Sequence, residues 1–566
     1  MGRALALSER WLPRIGVFLL PLAFWWDTYD QFVLPKLLLA RIFLLGLAAI
    51  FIVRTLATNT IVVRRTPIDL PLLALVASAA ISTIVAVNPN VSIFGTYARY
   101  DGLLTLLTYA GLFWFSAQML HHSGDARGVI RALLAGGYLV AAIAIYQSIS
   151  DSQNAGAFVP AFGTLGNSNV LGAFLAMLLP LAYGELVRAQ SWSARILALN
   201  VLTVVAIALV LTFSRSAWLG ALVASAIVLA ATPRMALRVT VVTVGVIAIV
   251  IVVGGVSNKP GLERLVTARA MTIVDPNAWG SSRLHIWQDS ISLIASRPIL
   301  GYGPDTFGLV FPKFETGDWG VGARDLHQQV DKAHAEVLQI AATQGLIGLA
   351  AYLLLLAGFI RAAWRARRLN GLVLFAAFVA YLITVQLNFT ALAAALPFWI
   401  FAAACLLTWD ARPVTVSKAL PHGPVMQVAG GIAIAGLAAL MVAFVARPYL
   451  ADRDLQRSVL ASATSSSAAA AWAEQARSLA PQESVYAVQA GNLAFEGGHW
   501  TMARDAYQVA ARLGTYNPMV YRNLALVDAQ LGDRAAARAA ALNALALDRF
   551  DPANQALVAQ FPAAGA

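Results

Sequence analysis

Along the first 450 or so residues, polar positions are rare and fall into short clusters that separate long apolar stretches. A run of about twenty apolar residues is what a helix needs to cross a bilayer core. Thirteen such runs are predicted, at 11–29, 33–53, 67–87, 102–120, 129–149, 168–187, 195–213, 216–232, 236–255, 336–360, 371–391, 392–409 and 424–446. The expected fold is therefore all-α, a polytopic membrane protein with about 12–13 transmembrane helices. No small-residue cleavage site follows the first run, and another run comes directly after it, so it reads as a retained helix.

Composition agrees: of 566 residues, 59% are hydrophobic and only 12% charged. The single cysteine, Cys405, lies inside an apolar run and excludes a disulfide framework. If the N-terminus is cytoplasmic, the inside loops collect Arg54, Arg64, Arg65, Arg127, Arg131, Arg188, Arg195, Arg234, Arg238, Arg361, Arg365, Arg367, Arg368, Arg412 and Lys418, whereas the loop at 150–167 has no Lys or Arg. That asymmetry orients the chain, with the long loop 256–335 and the C-terminus outside. Arg99, Arg215, Arg283 and Arg324 run against the trend and need another explanation.

Past residue 450 the apolar runs stop and an alanine-rich segment repeats at a spacing of 34: Gly498 with Gly532, Ala503 with Ala537, Ala510 with Ala544, Leu513 with Leu547, Pro518 with Pro552. Small residues at those positions let antiparallel helices approach closely, and each proline is expected to end a unit. The pattern resembles tetratricopeptide repeats, with two full units and a partial one around Trp472, Ala476 and Pro481. Such arrays bind peptides or partner proteins, or act as spacers, and both readings stay open. The expected domains are 1–410 (membrane, catalytic), 411–450 (basic cytoplasmic linker and last span) and 451–566 (extracytoplasmic repeats).

Chemistry is sought in the outside segments. Asp331, Lys332, His334 and Glu336 crowd the start of the apolar run at 336–360. Imidazole is the side chain best placed to take a proton near neutral pH, although a lone histidine is usually structural. Arg215 sits in a tight turn between two runs, and a guanidinium there offers paired hydrogen bonds to phosphate oxygens. Arg215, Arg283 and His334 on one face would hold a diphosphate beside a base. Equally, the arginines would anchor helices to lipid headgroups.

The segments S-I-F-G-T-Y-A-R-Y-D-G-L (92–103), F-G-T-L-G-N-S-N-V-L-G (162–172), L-T-F-S-R-S-A-W-L-G (211–220), S-R-L-H-I-W (282–287), P-I-L-G-Y-G-P-D-T-F (298–307) and A-H-A-E-V-L-Q-I-A-A-T-Q-G-L-I-G (333–348) occur in an order that resembles the O-antigen ligase and polymerase superfamily. The resemblance spans roughly residues 15–410. It implies an enzyme that moves a glycan from undecaprenyl diphosphate to a lipid, glycan or protein acceptor at the outer face of the cytoplasmic membrane, with no cofactor, nucleotide sugar or metal. By the same resemblance His334 deprotonates the acceptor hydroxyl, and Arg215 and Arg283 hold the diphosphate. Arg99, Asp331, Glu336, Trp287 and Tyr302 complete the expected substrate-binding set.

Two departures stand out. Ala335 occupies a position where the family commonly has asparagine, so Asp331 or Glu336 is expected to orient the imidazole instead. The C-terminal repeats are an addition to minimal ligases and point to a possible protein partner. Partners beyond the donor and acceptor are membrane lipid and, through the repeats, a protein; a nucleic acid is not expected. Alternatives are a polymerase whose acceptor is a second lipid-linked glycan, a flippase or transporter with no catalysis, and a metal-dependent transferase using the acids of D-T-Y-D (27–30) and D-R-D (452–454).

Overall fold

The computed structural model describes residues 2–231, 281–317, 329–365, 369–409, 414–420 and 423–562. Its membrane part is a bundle of helices: α1 (Gly2–Leu19), α2 (Val33–Thr58), α3 (Asp69–Ile84), the short α4 (Pro89–Phe94), α5 (Leu103–Met119), α6 (Ser123–Ala155), α7 (Ser168–Arg188), α8 (Trp192–Leu211), α9 (Arg215–Ala231), α10 (Ser281–Ser296), α11 (Glu336–Arg365), α12 (Leu369–Gln386), α13 (Leu392–Trp409) and α14 (Pro424–Met441). Among the described residues, seven helices are long and apolar enough to cross a membrane, and four shorter apolar helices accompany them. The protein is an all-α, polytopic membrane protein. The run predicted at 236–255, with Arg234, Arg238 and all of 256–280, lies outside the described residues, as do 318–328 with Arg324.

Helices α7 and α13 are the most enclosed, 78% and 89% buried along their apolar windows, and so form the centre. Leu70, Ile84, Ile196, Leu197 and Ile432 lie on the outer surface, where side chains of this kind have lipid to face. Two helices depart from the expected runs in ways that shape the site end. The first helix covers 2–19 rather than 11–29, because Trp25 to Asp30 form a loop whose Asp30 carboxylate accepts from the N–H groups of Phe32, Val33 and Leu34 and so starts α2. Lys36 then ties that loop down, donating to the carbonyls of Ala23, Phe32 and Thr164. The run at 371–391 ends as helix at Gln386, leaving 387–391 as a loop.

A two-stranded antiparallel sheet was not foreseen. Thr60–Arg65 (β1), after α2, pairs with Val414–Ala419 (β2), before α14, in the register Thr60 with Ala419. The strands mark one end of the bundle, called here the strand end. The loops 95–101, 298–305, 331–335 and 387–391 gather at the other, the site end.

The last membrane helix does not stop at 450. Helix α14 passes through a π-helical turn, Val442–Ala446, directly into α15 (Arg447–Ser462), so the repeat domain grows out of a continuous helix. Helix α15 packs against α16 (Ser466–Leu479), α17 (Ser484–Glu496) against α18 (Trp500–Leu513), and α19 (Pro518–Gln530) against α20 (Arg534–Leu547), with α21 (Pro552–Gln560) closing the stack. The partial unit is thus a full hairpin whose first helix is the membrane helix continued. Ala503, Ala510, Ala537 and Ala544 are completely buried, as the 34-residue spacing requires. Pro518 and Pro552 open helices rather than end units, at the first-turn position where proline's missing N–H costs nothing.

Candidate functional site

The site is built on a broken helix. Within α11, Gly345 takes φ 68° and ψ −170°, interrupting the hydrogen-bond ladder. The strap 298–303 fills the break: Tyr302 N–H donates to Ala342 O, Gly303 N–H to Thr343 O, and Leu346 N–H to Pro298 O at 2.7 Å. A Cβ at Gly345 would stand 2.1 Å from the Ile299 carbonyl oxygen, so only glycine fits. The glycine thus serves the close approach of a backbone strap.

His334 stands two residues before α11 with φ 50°, a left-handed conformation rare for a non-glycine residue. The helix starts after it, so Asp331 does not share its helical face. Instead His334 Nδ1 lies 3.4 Å from Asn388 Oδ1, a long contact, and its ring packs on Phe389 with centroids 5.6 Å apart. When Nδ1–H donates to Asn388, the Nε2 lone pair is left to accept a proton. The amide missing at Ala335 therefore has a counterpart, supplied by the loop 387–391. Burial first, then the Arg283 charge, pull the His334 pKa below the usual histidine value, with Arg99 adding to the fall; the Asn388 contact and the Asp331 carboxylate oppose it. The imidazole is thus neutral at pH 7.

Asp331 is held elsewhere: its Oδ2 accepts from Arg99 Nε at 2.7 Å, and the Arg99 guanidinium lies over Phe389, 5.1 Å from the ring centre. Phe389 so touches both Arg99 and His334. Between them in sequence, Lys332 is almost fully buried, its Nζ 2.7 Å from Asp101 Oδ2 and 2.7 Å from Asp305 Oδ1. Burial alone draws the ammonium pKa down, and the two carboxylates more than reverse this. Asp305 Oδ2 also accepts from Thr96 N and Oγ1. This brace fixes three loops, 96–101, 305 and 332, around the histidine. Beneath it lies a 140 Å³ cavity lined by Asp101, Lys332, Glu336, Tyr109 and Trp399.

Arg283, on α10, donates from Nη1 to the Leu387 carbonyl at 2.8 Å. Trp287 is one helical turn further on the same face, and its buried indole N–H has no hydrogen-bond partner among the described residues. Glu336 accepts from Thr390 N–H at 2.8 Å, clasping 387–391 to the start of α11. Arg215 opens α9, which packs along α12. Gly220 abuts Ala380 and Thr384. Arg215, five residues and about 7.5 Å nearer the site end, therefore stands at the level of 387–391. Tyr302 lies outside this group, its hydroxyl 2.7 Å from Ser296 Oγ and its ring under Arg297.

The structure thus brings His334, Arg283, Arg99, Asp331 and Glu336 together around 387–391. Sequence reasoning missed Asn388, Phe389, Asp101 and Asp305, and it singled out Lys332 without giving it a role. One signal was present: Gln386, Asn388 and Thr390 are polar interruptions in the otherwise apolar stretch 371–409. The acids of 27–30 and 452–454 do meet, but as structural acceptors: Asp452 takes the Asp30 N–H and the Tyr97 hydroxyl, and Asp27 the Tyr449 hydroxyl.

A membrane protein with a neutral histidine, arginines and a broken helix gathered at one end of its bundle is the class these features define. Residues 198–353 match the family model described as O-antigen ligase. That stretch holds Arg215, Arg283, His334 and the Gly345 break, so the resemblance read from the motifs is borne out there, and it supports a glycan-transferring membrane enzyme. No curated protein matches the chain. Among solved structures, the chain is similar to one described as the crystal structure of the APC/C hetero-tetramer Cut9-Hcn1, at 12% identity and a TM-score of 0.19, over 80% of this chain and 90% of that one. A likeness at that score carries no argument.

Proposed function

We propose that the protein transfers a glycan from undecaprenyl diphosphate to an acceptor hydroxyl at the outer face of the cytoplasmic membrane, in one inverting step. The observation that carries this reading is His334 held in a left-handed turn, with Nδ1 toward Asn388 and with Arg283 bonded to the neighbouring Leu387 carbonyl. The acceptor oxygen attacks the anomeric carbon while His334 Nε2 takes its proton. The bond from that carbon to the diphosphate oxygen breaks, and its electron pair leaves with the diphosphate. Arg283 and Arg215 stabilise the charge that grows there, and the Trp287 N–H is a further donor to the same group. A bound diphosphate also offsets the Arg283 charge that lowers the His334 pKa, so donor binding makes the imidazole a stronger base.

The test is transfer by the purified protein from undecaprenyl-diphosphate-linked glycan to acceptors in a membrane extract, in chelator-containing buffer. Wild type is expected to transfer and His334→Ala to lose transfer. Arg215→Lys is expected to fall about a hundredfold or more, because lysine keeps the charge and loses the fork. Undiminished transfer by His334→Ala removes the histidine from the chemistry. Wild type that binds donor without transferring it points to transport. The labelled product separates a ligase from a polymerase.

A further inference from the structure

A second cavity, of about 460 Å³, lies between the repeat domain and the loop that follows α4, within the range of roughly 300–1,000 Å³ usual for small-molecule sites. Asn90, Thr96 and Tyr97 form one wall; the other is made by Gln482 to Val485 and Thr515 to Asn517, the turns that lead into α17 and α19. The seam is fixed, with Asn90 Nδ2 donating to the Gln482 and Leu513 carbonyls at 2.9 and 3.1 Å, and Gln329 Nε2 to the Leu547 carbonyl at 2.9 Å.

Among the described residues the lining has no lysine or arginine and one carboxyl, Glu483. It offers two tyrosine rings, Tyr97 and Tyr516, and uncommitted polar groups: among the described residues no hydrogen bond engages the Tyr516 hydroxyl, the Ser484 hydroxyl or the Gln482 side-chain amide. The catalytic site is close by. Tyr516 Cδ2 and Asp331 Cα both border Gly308, at 3.6 and 3.3 Å from the position a Cβ would take there, and Asp331 holds Arg99. Thr96, in the opposite wall, is bonded to Asp305 and through it to Lys332.

We propose that this cavity binds a neutral stretch of glycan, so that the repeat domain is a wall of the substrate site as well as a possible partner surface. The chemistry argues for sugar. Hydroxyls and amides without committed partners suit a polyol, aromatic rings suit the apolar faces of pyranoses, and a phosphate or an acidic chain would call for cations, of which the described lining has none. The inference rests on the glycan-transfer reading, and it extends the site from the reacting bond to sugars further along the chain.

The test uses the full-length protein in detergent and, as probe, the lipid-free glycan released by mild acid from the lipid-linked donor of the source cells. Ser484→Trp fills the cavity, and Tyr516→Phe removes only a hydroxyl. Wild type is expected to bind the released glycan by calorimetry. Ser484→Trp should bind it at least about tenfold more weakly and Tyr516→Phe about three- to tenfold more weakly, with thermal unfolding as in wild type. In transfer assays the same factors should appear in one KM, with kcat little changed: the donor's KM assigns the cavity to the donor glycan, the acceptor's to the acceptor. Failure of wild type to bind the glycan, or equal binding by both variants, overturns the proposal. If both variants lose the glycan that wild type binds, yet wild type transfers to no acceptor, the cavity stands and the transfer reading falls.

Discussion

The two ends of the helix bundle solve the same problem, buried charge, in different ways. At the strand end, opposite charges meet across helices and the backbone is relaxed. Arg14 pairs with Asp125 at 3.2 Å, Arg54 with Glu9 at 3.2 Å, and His121 Nε2 also reaches Glu9 at 3.2 Å. The left-handed non-glycine residue described there is Asn59, at the C-cap of α2, where asparagine tolerates that conformation well. At the site end, Ala98, Tyr100, Phe213, Asp305 and His334 all have positive φ. Strain of this kind costs of order 1–3 kcal/mol per residue and persists only where surrounding structure holds it, as the Lys332 brace does here. The contrast teaches that ion pairs at one end serve cohesion, whereas at the other they hold His334 in a conformation it would not choose.

The sharpest way to break this comparison is His334→Gly, since glycine accepts a left-handed φ freely. Transfer should fall by about 10²–10⁴-fold, the usual worth of a general base, while thermal unfolding shows stability equal to or above wild type. A variant that loses stability in step with activity would make His334 a structural residue. Next comes Lys332→Ala, which leaves Asp101 and Asp305 buried without their cation. Denaturant unfolding should show a loss of roughly 3–5 kcal/mol; a loss under 1 kcal/mol would mean that the brace does not hold the site.

A third test uses pH. His334 has a lowered pKa, so its neutral form persists to lower pH than an ordinary imidazole, and activity is lost only as pH falls through that lowered value. The acidic limb of kcat/KM should therefore have its midpoint below about 6.5. The limb of kcat, measured with diphosphate bound, should lie higher than that of kcat/KM. A kcat/KM midpoint at 7 or above would contradict the burial and the Arg283 charge as the controlling influences. The smallest effect belongs to the strand end: Glu9→Gln should cost roughly 1–2 kcal/mol of stability and leave the transfer rate per folded molecule unchanged. A large rate loss there would erase the distinction between the ends.

Much of this was legible in the linear chain. Uninterrupted apolar runs can be satisfied in lipid only as helices, so the bundle followed from local composition. The 34-residue spacing of small residues likewise announced helical hairpins, because each unit must bury the same face against the next. Arg215 and His334 stood out as polar groups at the ends of apolar runs, and Arg283 as a cation within the long loop 256–335. What composition could not show was which partner each would meet. His334 and Asn388 are 54 residues apart, Lys332 and Asp101 231, Arg99 and Asp331 232. Local periodicity is blind to such distances. Asp331 was expected beside the imidazole because three residues separate them, an argument that needs an unbroken helix; the helix starts at Glu336, and the carboxylate went to Arg99 instead. The left-handed turn at His334, the strap that heals the break at Gly345, and the placing of Tyr516 beside Asp331 were decided by tertiary structure alone. Each depends on a backbone from elsewhere in the chain arriving to complete it.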